Sequence, residues 1–573
     1  MRRWLLLGAT AALVAASPTG GAPAAPGSGT RLAVLIVVDQ MRADYLRRFA
    51  PFFGEAGFRR LTREGRVFSH ARYSHLTTFT GPGHALIGSG LYGDRSGIVG
   101  NRWYSRALGR DVNCAVGPLD PSGAGKCRAE EIAGAAAGSS AGNPCNALGK
   151  SLAERVKERY PAARVIGVGL KDRSAILPPG KGADAAYWVE EGKDGPILTC
   201  SLYYPSCNDE VLAFNHEMSP NTFFGGHPER QEWSCSLPPP CEKSCPEDVP
   251  TAHEDSSGLG RSFPHPVRDV GVALSTPSGD ELLESLAERV VEAHDLGHNR
   301  AGQPDVLSIG FSSTDYFGHL FGPDSCEVAD GYKRLDQTLA RLLTFLEKRV
   351  GKDALFLILT ADHGVTPLPE VSLKRGIPAG RIELGESTRR AVGRIGDLSP
   401  LRQRMEFELA RHLGVREDAS TPLTRTLILG YREPSLYLNH EALDDRQVRS
   451  ASSFLKSYLL HVEGIGGVYT SREIERGKAP ESVRLSWRAD RCGDLVIILE
   501  PGWIEMGGTG TTHGQPYEDD AWVPLLVWGA GIEPGVVSTT VDMARLAPTL
   551  AAKLGLEGAG FSRPEPLPLS PQR

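Results

Sequence analysis

The chain reads as an α/β protein, with a mainly parallel central sheet flanked by helices and an inserted α+β cap lobe. Three observations predict this. Apolar runs at 32–38, 164–170, 305–312, 354–360, 494–499 and 523–528 are too uniformly apolar for strands with one wet face, so they read as core strands. Between several of them lie helical patterns such as GDELLESLAERVVEAHDLG and DGYKRLDQTLARLLTFLEKRVG. Strands alternating with helices imply a parallel sheet covered on both faces, which places sites at the carboxyl ends of the strands.

Taken in order, the chain opens with Arg2 and Arg3 before the apolar WLLLGATAALVAA and a small-residue segment, which reads as an export signal over 1–26 and a mature start near Gly27. The apolar stretch is too short for a comfortable membrane span. A catalytic core is expected over 27–366, interrupted near 208–266 by a Cys- and Pro-rich insertion centred on SLPPPCEKSCPEDVPTAHEDSSG. A cap or accessory insertion follows at 367–490, including a basic helix near 450–460, and the core resumes over 491–573. No repeat of solenoid period is present.

Composition narrows the function. With 573 residues and a net charge of -6, the chain has no general basic surface for nucleic acid, so any anion site needs a local positive field. The ten cysteines are even in number and mostly in loop-like sequence, which points to oxidised pairs and a periplasmic or secreted location. Cys200 and Cys207 are near enough to close a small loop, while the remaining connectivity stays open. Cys235, Cys241 and Cys245 lack the paired spacing of a separate zinc site.

Chemistry concentrates at the ends of the strand-like runs. LAVLIVVDQ delivers Asp39. DVLSIGFSSTDYFGH delivers Asp315 and His319, four apart on one helical face. LFLILTADHG delivers Asp362 and His363, and GTGTTHG delivers His513. One aspartate after a strand is ordinarily a turn or N-cap residue. Six carboxylates and imidazoles in such contexts instead form the ligand set of a two-metal hydrolase, with zinc or a similar divalent ion the best chemical match. In TTFTGPGHA, Thr80 opens a Gly/Pro turn that would present its hydroxyl at a helix N-terminus. A threonine hydroxyl becomes a useful nucleophile when a metal lowers its pKa.

These segments, with GIVGNRW and GVGLKDRSAILPPG, resemble in order and content the alkaline phosphatase superfamily and, within it, the PafA-type periplasmic alkaline phosphatases related to the type I phosphodiesterase/nucleotide pyrophosphatase branch. The resemblance implies an alkaline-phosphatase-like fold and two Zn2+ ions. Asp315, His319 and His513 would hold one ion, and Asp39, Asp362, His363 and the Thr80 oxygen the other. It also implies phosphoryl-oxygen contacts from Lys171, Arg173 and Asn101. Strand alternation after RVIGVGL would send Lys171 and Arg173 to one face, where an ammonium and a planar guanidinium suit a dianionic monoester. The diesterase branch commonly reads Pro-Asn-His after its nucleophile; here Pro82, Gly83 and His84 follow, and His84 is assigned to loop packing.

The reading is an exported zinc-dependent alkaline phosphatase, a phosphoric monoester hydrolase acting on small-molecule phosphate esters through a phosphothreonine intermediate. It is expected to be monomeric, with no nucleic-acid partner and no stable membrane insertion after signal cleavage. The alternative is a phosphodiesterase or nucleotide pyrophosphatase, or a mixed enzyme, using the same Thr80 and metals. A sulfatase is excluded because TGPGH lacks that class's Cys or Ser nucleophile segment. A non-catalytic anion-binding protein would not need the complete set.

Overall fold

The computed structural model describes residues 29–119, 126–127, 142–238, 258–385, 399–415, 426–556 and 565–570. The predicted signal segment, the centre of the Cys/Pro-rich insertion with Cys241 and Cys245, and parts of the cap insertion lie outside the described residues.

A nine-stranded sheet forms the centre. Its strands, in chain order, are β1 (Leu32–Val38), β2 (Arg66–Phe68), β3 (Val165–Gly169), β4 (Ala185–Gly192), β5 (Gly195–Thr199), β6 (Asp305–Phe311), β7 (Leu355–Thr360), β8 (Leu525–Gly529) and β9 (Gly535–Val537). They lie in the order β9-β2-β8-β7-β1-β6-β3-β4-β5. The pairs β7/β1, β1/β6, β6/β3 and β3/β4 are parallel. Every residue of β1, β3, β6 and β7 is buried, as the uniform apolar runs require. The expected strand near 523–528 joins this sheet as β8, but it runs antiparallel to β7.

The predicted helices cover the sheet at Pro277–Ala293 and Cys326–Val350. The first is started by Thr276, whose side chain accepts from Ser278 N, with Pro277 at the first helical position, where its missing N–H costs nothing. The second is capped by the Ser325 side chain accepting from Val328 N and ends before Gly351. Asp336, buried on this helix, accepts from the backbone of Gly54 (2.7 Å) and Phe58 (2.7 Å) and so pins the segment after β1.

One expectation is corrected. The apolar run at 494–499 does not join the central sheet; as Leu495–Leu499 it lies inside a separate four-stranded antiparallel sheet, between Ser435–Leu438 and Ile465–Thr470, with Ile428–Arg432 at the far edge. An apolar run records burial, not which sheet buries it. This sheet and the helices Pro400–His412 and Asp445–Leu459 enclose their own core, including Leu384, Met405, Leu409, Leu436, Leu455 and Ile497. Gly380–Ile382 pairs with Trp503–Glu505 at its base. Arg432 to Asp111 (2.7 Å) and Arg106 to Asp494 (2.8 Å) tie this lobe to the hairpin Arg102–Ser105 and Arg110–Asn113 of the main body.

Cysteine pairing follows expectation at Cys200–Cys207, and Cys127–Cys145 is a second bond. Cys235 and Cys326 are also disulfide-bonded, which removes Cys235 from any thiolate zinc site. Complete oxidation does not hold, because Cys114 and Cys492 are free and buried.

Because β1 pairs with two neighbours and buries both faces, Ile36→Ala should cost about 2–5 kcal/mol of folding stability, through lost burial plus an unfilled cavity. Urea unfolding followed by far-UV circular dichroism would check this, with an unchanged midpoint contradicting the assignment of β1 to the centre of the core.

Candidate active site

The sheet order explains why distant motifs meet. Four adjacent strands, β7, β1, β6 and β3, end respectively before Asp362 and His363, at Asp39, before Asp315, and before Lys171. Neighbouring strands are roughly 4.8 Å apart, so these side chains share one edge within roughly 14 Å. Thr314 Oγ1 donates to Asp39 O (2.6 Å), locking the end of β1 to the helix Ser313–Phe321 that carries Asp315 and His319.

Thr80 begins the helix Thr80–Ser89, and its residues from Thr80 to Gly88 are buried. Two glycines let this helix end pack closely, Gly83 against the sheet edge at Asp362 and Gly81 against the segments holding Asn101 and Cys114. A Cβ on Gly83 would collide with the backbone of Asp362, and one on Gly81 would stand 2.9 Å from Cys114 Sγ and 3.0 Å from Asn101 Oδ1. The result sets Thr80 Oγ1 3.4 Å from His363 Nε2. Asn101 Oδ1 accepts from Gly81 N (2.6 Å), which leaves its Nδ2 as the group able to donate outward.

The three imidazoles share one arrangement. His363 Nδ1 donates to Gly364 O (2.9 Å), His319 Nδ1 to Thr511 O (2.7 Å) and His513 Nδ1 to Thr78 O (2.7 Å). Each bond commits the proton to Nδ1 and turns the Nε2 lone pair inward, the second-sphere pattern that orients metal-binding histidines. Nε2 of His319 is 3.1 Å, and that of His513 3.5 Å, from Asp315 Oδ1. Nε2 of His363 is 3.4 Å from both Asp39 Oδ1 and Asp362 Oδ2. The His363 and His513 rings stack with centroids 3.6 Å apart. Burial holds the His363 imidazole down at about 3, so it is neutral and its Nε2 can act as a ligand.

The donor set fits divalent cations. Two groups have ligand atoms within 4.8 Å of one another, one of Asp315, His363 and His513 and one of Asp39, Asp362 and His363. Asp39 Oδ1 and Asp362 Oδ2 are buried without a hydrogen-bond donor among the described residues. Burial, together with the nearby Asp315 and Asp362 carboxylates, pushes the Asp39 carboxyl well above its usual range. Such a cluster is costly without a compensating positive charge, which a metal ion supplies at short range.

Lys171 supplies part of that charge. Its Nζ lies 2.6 Å from Asp39 Oδ2 and 2.5 Å from Asp315 Oδ2, joining the two groups. Its expected neighbour Arg173 does not follow it along a strand. Lys171 lies beyond β3 as the N-cap of Asp172–Ile176, and Arg173 is already helical, so a strand-to-helix turn, not alternation, sets their directions. Asp172 Oδ1 accepts from Arg173 N (2.7 Å) and lies 3.5 Å from Arg173 Nη1, and Asn113 Nδ2 holds the other Asp172 oxygen (3.1 Å).

Several residues here escape a reading of the sequence. Gln40, at φ 66°, donates from Nε2 to Asp315 Oδ1 (2.7 Å) and from its backbone to Asp362 Oδ1 (3.2 Å). Gly318 in DYFGH makes room for it, since a Cβ there would strike Gln40 Oε1. His84 is helical rather than in a loop; its Nδ1 donates to Thr80 O (2.9 Å) and lies 3.2 Å from Asp362 Oδ2. Asp520 Oδ2 accepts from Gly514 N and Gln515 N (2.9 Å each), fixing the turn after His513. The adjacency of Gln40 to Asp39 is the available signal; for His84 and Asp520 there is none.

An edge-of-sheet site whose two overlapping carboxylate and imidazole groups could hold metal, beside a helix-borne threonine, is that of a hydrolase of the alkaline phosphatase kind. The type I phosphodiesterase / nucleotide pyrophosphatase family matches over residues 33–521, and the chain belongs to it. Among individual relatives, the chain is 28% identical to alkaline phosphatase PhoV of Synechococcus elongatus, over 92% of this chain and 90% of that one. It is 26% identical to alkaline phosphatase PafA of Elizabethkingia meningoseptica, over 97% and 96%. It is also 29% identical to a protein of Myroides odoratus named calcium-transporting ATPase, over 92% of each. The crystal structure of wild-type PafA superposes with a TM-score of 0.77 at 25% identity, covering 95% of this chain and 99% of that one.

Since His363 Nε2 faces both ligand groups, His363→Ala should lower the metal retained per chain more than His319→Ala does. Elemental analysis of desalted protein after zinc loading would check this, and the reverse order would show that the groups do not share His363.

Proposed function

We propose that this chain is an exported, zinc-dependent alkaline phosphatase that hydrolyses phosphate monoesters through a phosphothreonine formed on Thr80. The observation that carries the reading is the inward convergence of three Nε2 lone pairs and three carboxylates beside the Thr80 hydroxyl. Relatives named alkaline phosphatases, matched over nearly their whole length, support phosphatase chemistry. Disulfides support an oxidising compartment. The Myroides relative's name includes transport; among the described residues no helix is long and apolar enough to cross a membrane, and phosphoryl hydrolysis is the part of that name this site supports.

Asp315, His319 and His513 would hold one zinc, and Asp39, Asp362, Thr80 and His363 the other, with His363 also within reach of the first group. When bound, the ions activate the threonine hydroxyl and water and neutralise charge on the departing oxygen. The protein does the positioning. Thr80 sits in the first turn of its helix, where the helix dipole favours an incoming anion. Its Oγ attacks phosphorus in line, the bond from phosphorus to the alcohol oxygen breaks, and the alcohol departs with a proton. Water then attacks the phosphothreonine, releasing phosphate and restoring Thr80. Asn101 Nδ2 and the Arg173 fork, steadied by Asp172, are suited to the oxygens not being exchanged. Lys171 adds a positive charge on the carboxylate side of the pocket.

Diester cleavage by the same Thr80 is the second reading, and the family's name favours it. Lys171 and Arg173 separate the two, because a monoester brings more negative charge and one more terminal oxygen. Charge-assisted hydrogen bonds contribute ~1.5–3 kcal/mol each, and 1.36 kcal/mol is about tenfold in rate. Replacing both residues by Ala should lower monoester kcat/KM by roughly a hundredfold or more, with a much smaller loss on the matching diester. Equal losses would assign the pair to the fold or the metals.

Thr80→Ala should lose most turnover yet retain zinc, because Asp39, Asp362 and His363 remain, whereas Thr80→Ser should keep a substantial part. Parental monoester turnover by Thr80→Ala would rule out the covalent route.

A further inference from the structure

The helix Ser313–Phe321 presents three faces. Asp315 and His319, four apart, turn to the candidate site, while Phe317 and Phe321 are buried in the hydrophobic core. Tyr316 and Leu320, also four apart, are half-buried on the third face. In the sequence Tyr316 is only the residue between a predicted ligand and a core phenylalanine. Its ring nevertheless meets the Lys171 ammonium, with Nζ 5.0 Å from the ring centroid. Arg173 also acts on it electrostatically, so the tyrosine adjoins both cations assigned to phosphate recognition.

The surroundings of that ammonium define what the ring contributes. Lys171 Nζ lies 2.6 Å from Asp39 Oδ2 and 2.5 Å from Asp315 Oδ2, which takes two of its three N–H donors and leaves one for a phosphoryl oxygen. A lysine stem is flexible and does not by itself fix the charge it carries. The electron-rich face of an aromatic ring attracts the ammonium without adding another carboxylate to a site that already holds three. Lys171 is buried, whereas Tyr316 keeps part of its surface and the Arg173 side chain is 25% exposed, so the cluster reaches solvent on the side of the ring and the guanidinium. The Tyr316 hydroxyl has no hydrogen-bond partner among the described residues, which leaves the ring as the group in contact with Lys171.

We propose that Tyr316 is a positioning residue for monoester hydrolysis, its ring holding the Lys171 ammonium so that the remaining N–H meets a phosphoryl oxygen. The inference rests on the monoesterase reading above, and within it on Lys171 acting at the phosphate. A diester has less charge and one terminal oxygen fewer, so it gains less from an ordered ammonium. Loss of the ring is therefore felt mainly on monoesters.

The test measures kcat/KM on an aryl phosphate monoester and the matching diester with the zinc-loaded full chain, and zinc per chain in the same samples. Tyr316→Leu, which removes the ring but keeps apolar bulk, should lower the monoester-to-diester ratio by about tenfold and retain the parental zinc. Tyr316→Phe, which keeps the ring, should keep the parental ratio. In a Lys171→Ala background Tyr316→Leu should lower the ratio no further, because the two side chains act as one unit. The ratio is internal to each protein, so a general loss of folded enzyme cancels. A ratio unchanged in Tyr316→Leu, a ratio lowered equally by Tyr316→Phe, or a further fall in the Lys171→Ala background overturns the positioning role. Loss of zinc from Tyr316→Leu overturns it too, since the tyrosine would then be supporting Asp315. If Lys171→Ala lowers the ratio and Tyr316→Leu does not, the proposal alone falls; if Lys171→Ala leaves the ratio unchanged, the role of Lys171 in the monoesterase reading falls with it.

Discussion

Three buried carboxylates at one edge of a parallel sheet are the constraint on which the rest of the site depends. Asp39, Asp315 and Asp362 are each almost wholly removed from water, and Lys171 brings a full positive charge among them. Isolated buried charges of one sign are expensive, so the surroundings hold four of the six oxygens and leave only Asp39 Oδ1 and Asp362 Oδ2 without a donor among the described residues. Gln40 holds an oxygen of both Asp315 and Asp362, the three histidines are fixed through Nδ1, and Asp520 holds the turn after His513. The helix bearing Thr80 then reaches Asp362 only because Gly83 has no side chain, while Gly81 leaves room for Asn101 and Cys114.

How much of this is legible in the sequence depends on the kind of signal each residue leaves. The runs before Asp39, Asp315 and Asp362 are apolar throughout, so both the strands and the ligands at their ends can be read directly. The same signal fails at Leu495–Leu499, because a strand buried in the lobe has the same composition as one buried in the body. Lys171 and Arg173 stand out by their types, but their placement comes from a helix starting one residue after Lys171, which strand alternation does not describe. His84 and Gln40 are ordinary-looking residues whose roles depend on contacts with Asp362 and Asp315 hundreds of positions away.

Cysteine count is similarly informative only in part. Cys200–Cys207 forms because a separation of seven leaves little choice of partner, whereas an even total does not ensure that every thiol pairs. Cys114 is fully buried against the turn that supports Asn101, and burial raises its thiol to about 12. The thiolate needed for exchange is therefore scarce, so this cysteine can persist unpaired in an oxidising compartment.

Gln515 gives the lobe a further significance. Its Oε1 accepts from Leu499 N in the lobe sheet, its Nε2 donates to Glu433, and its backbone carbonyl accepts from Thr78 Oγ1 two residues before Thr80. A ribosome delivers Asp39, Thr80, Asp315 and His363 long before His513, with the whole lobe emerging in between. Completion of the pocket is therefore tied to the lobe: the loop that carries the last imidazole in the chain is bonded through Gln515 to the lobe strand Leu495–Leu499.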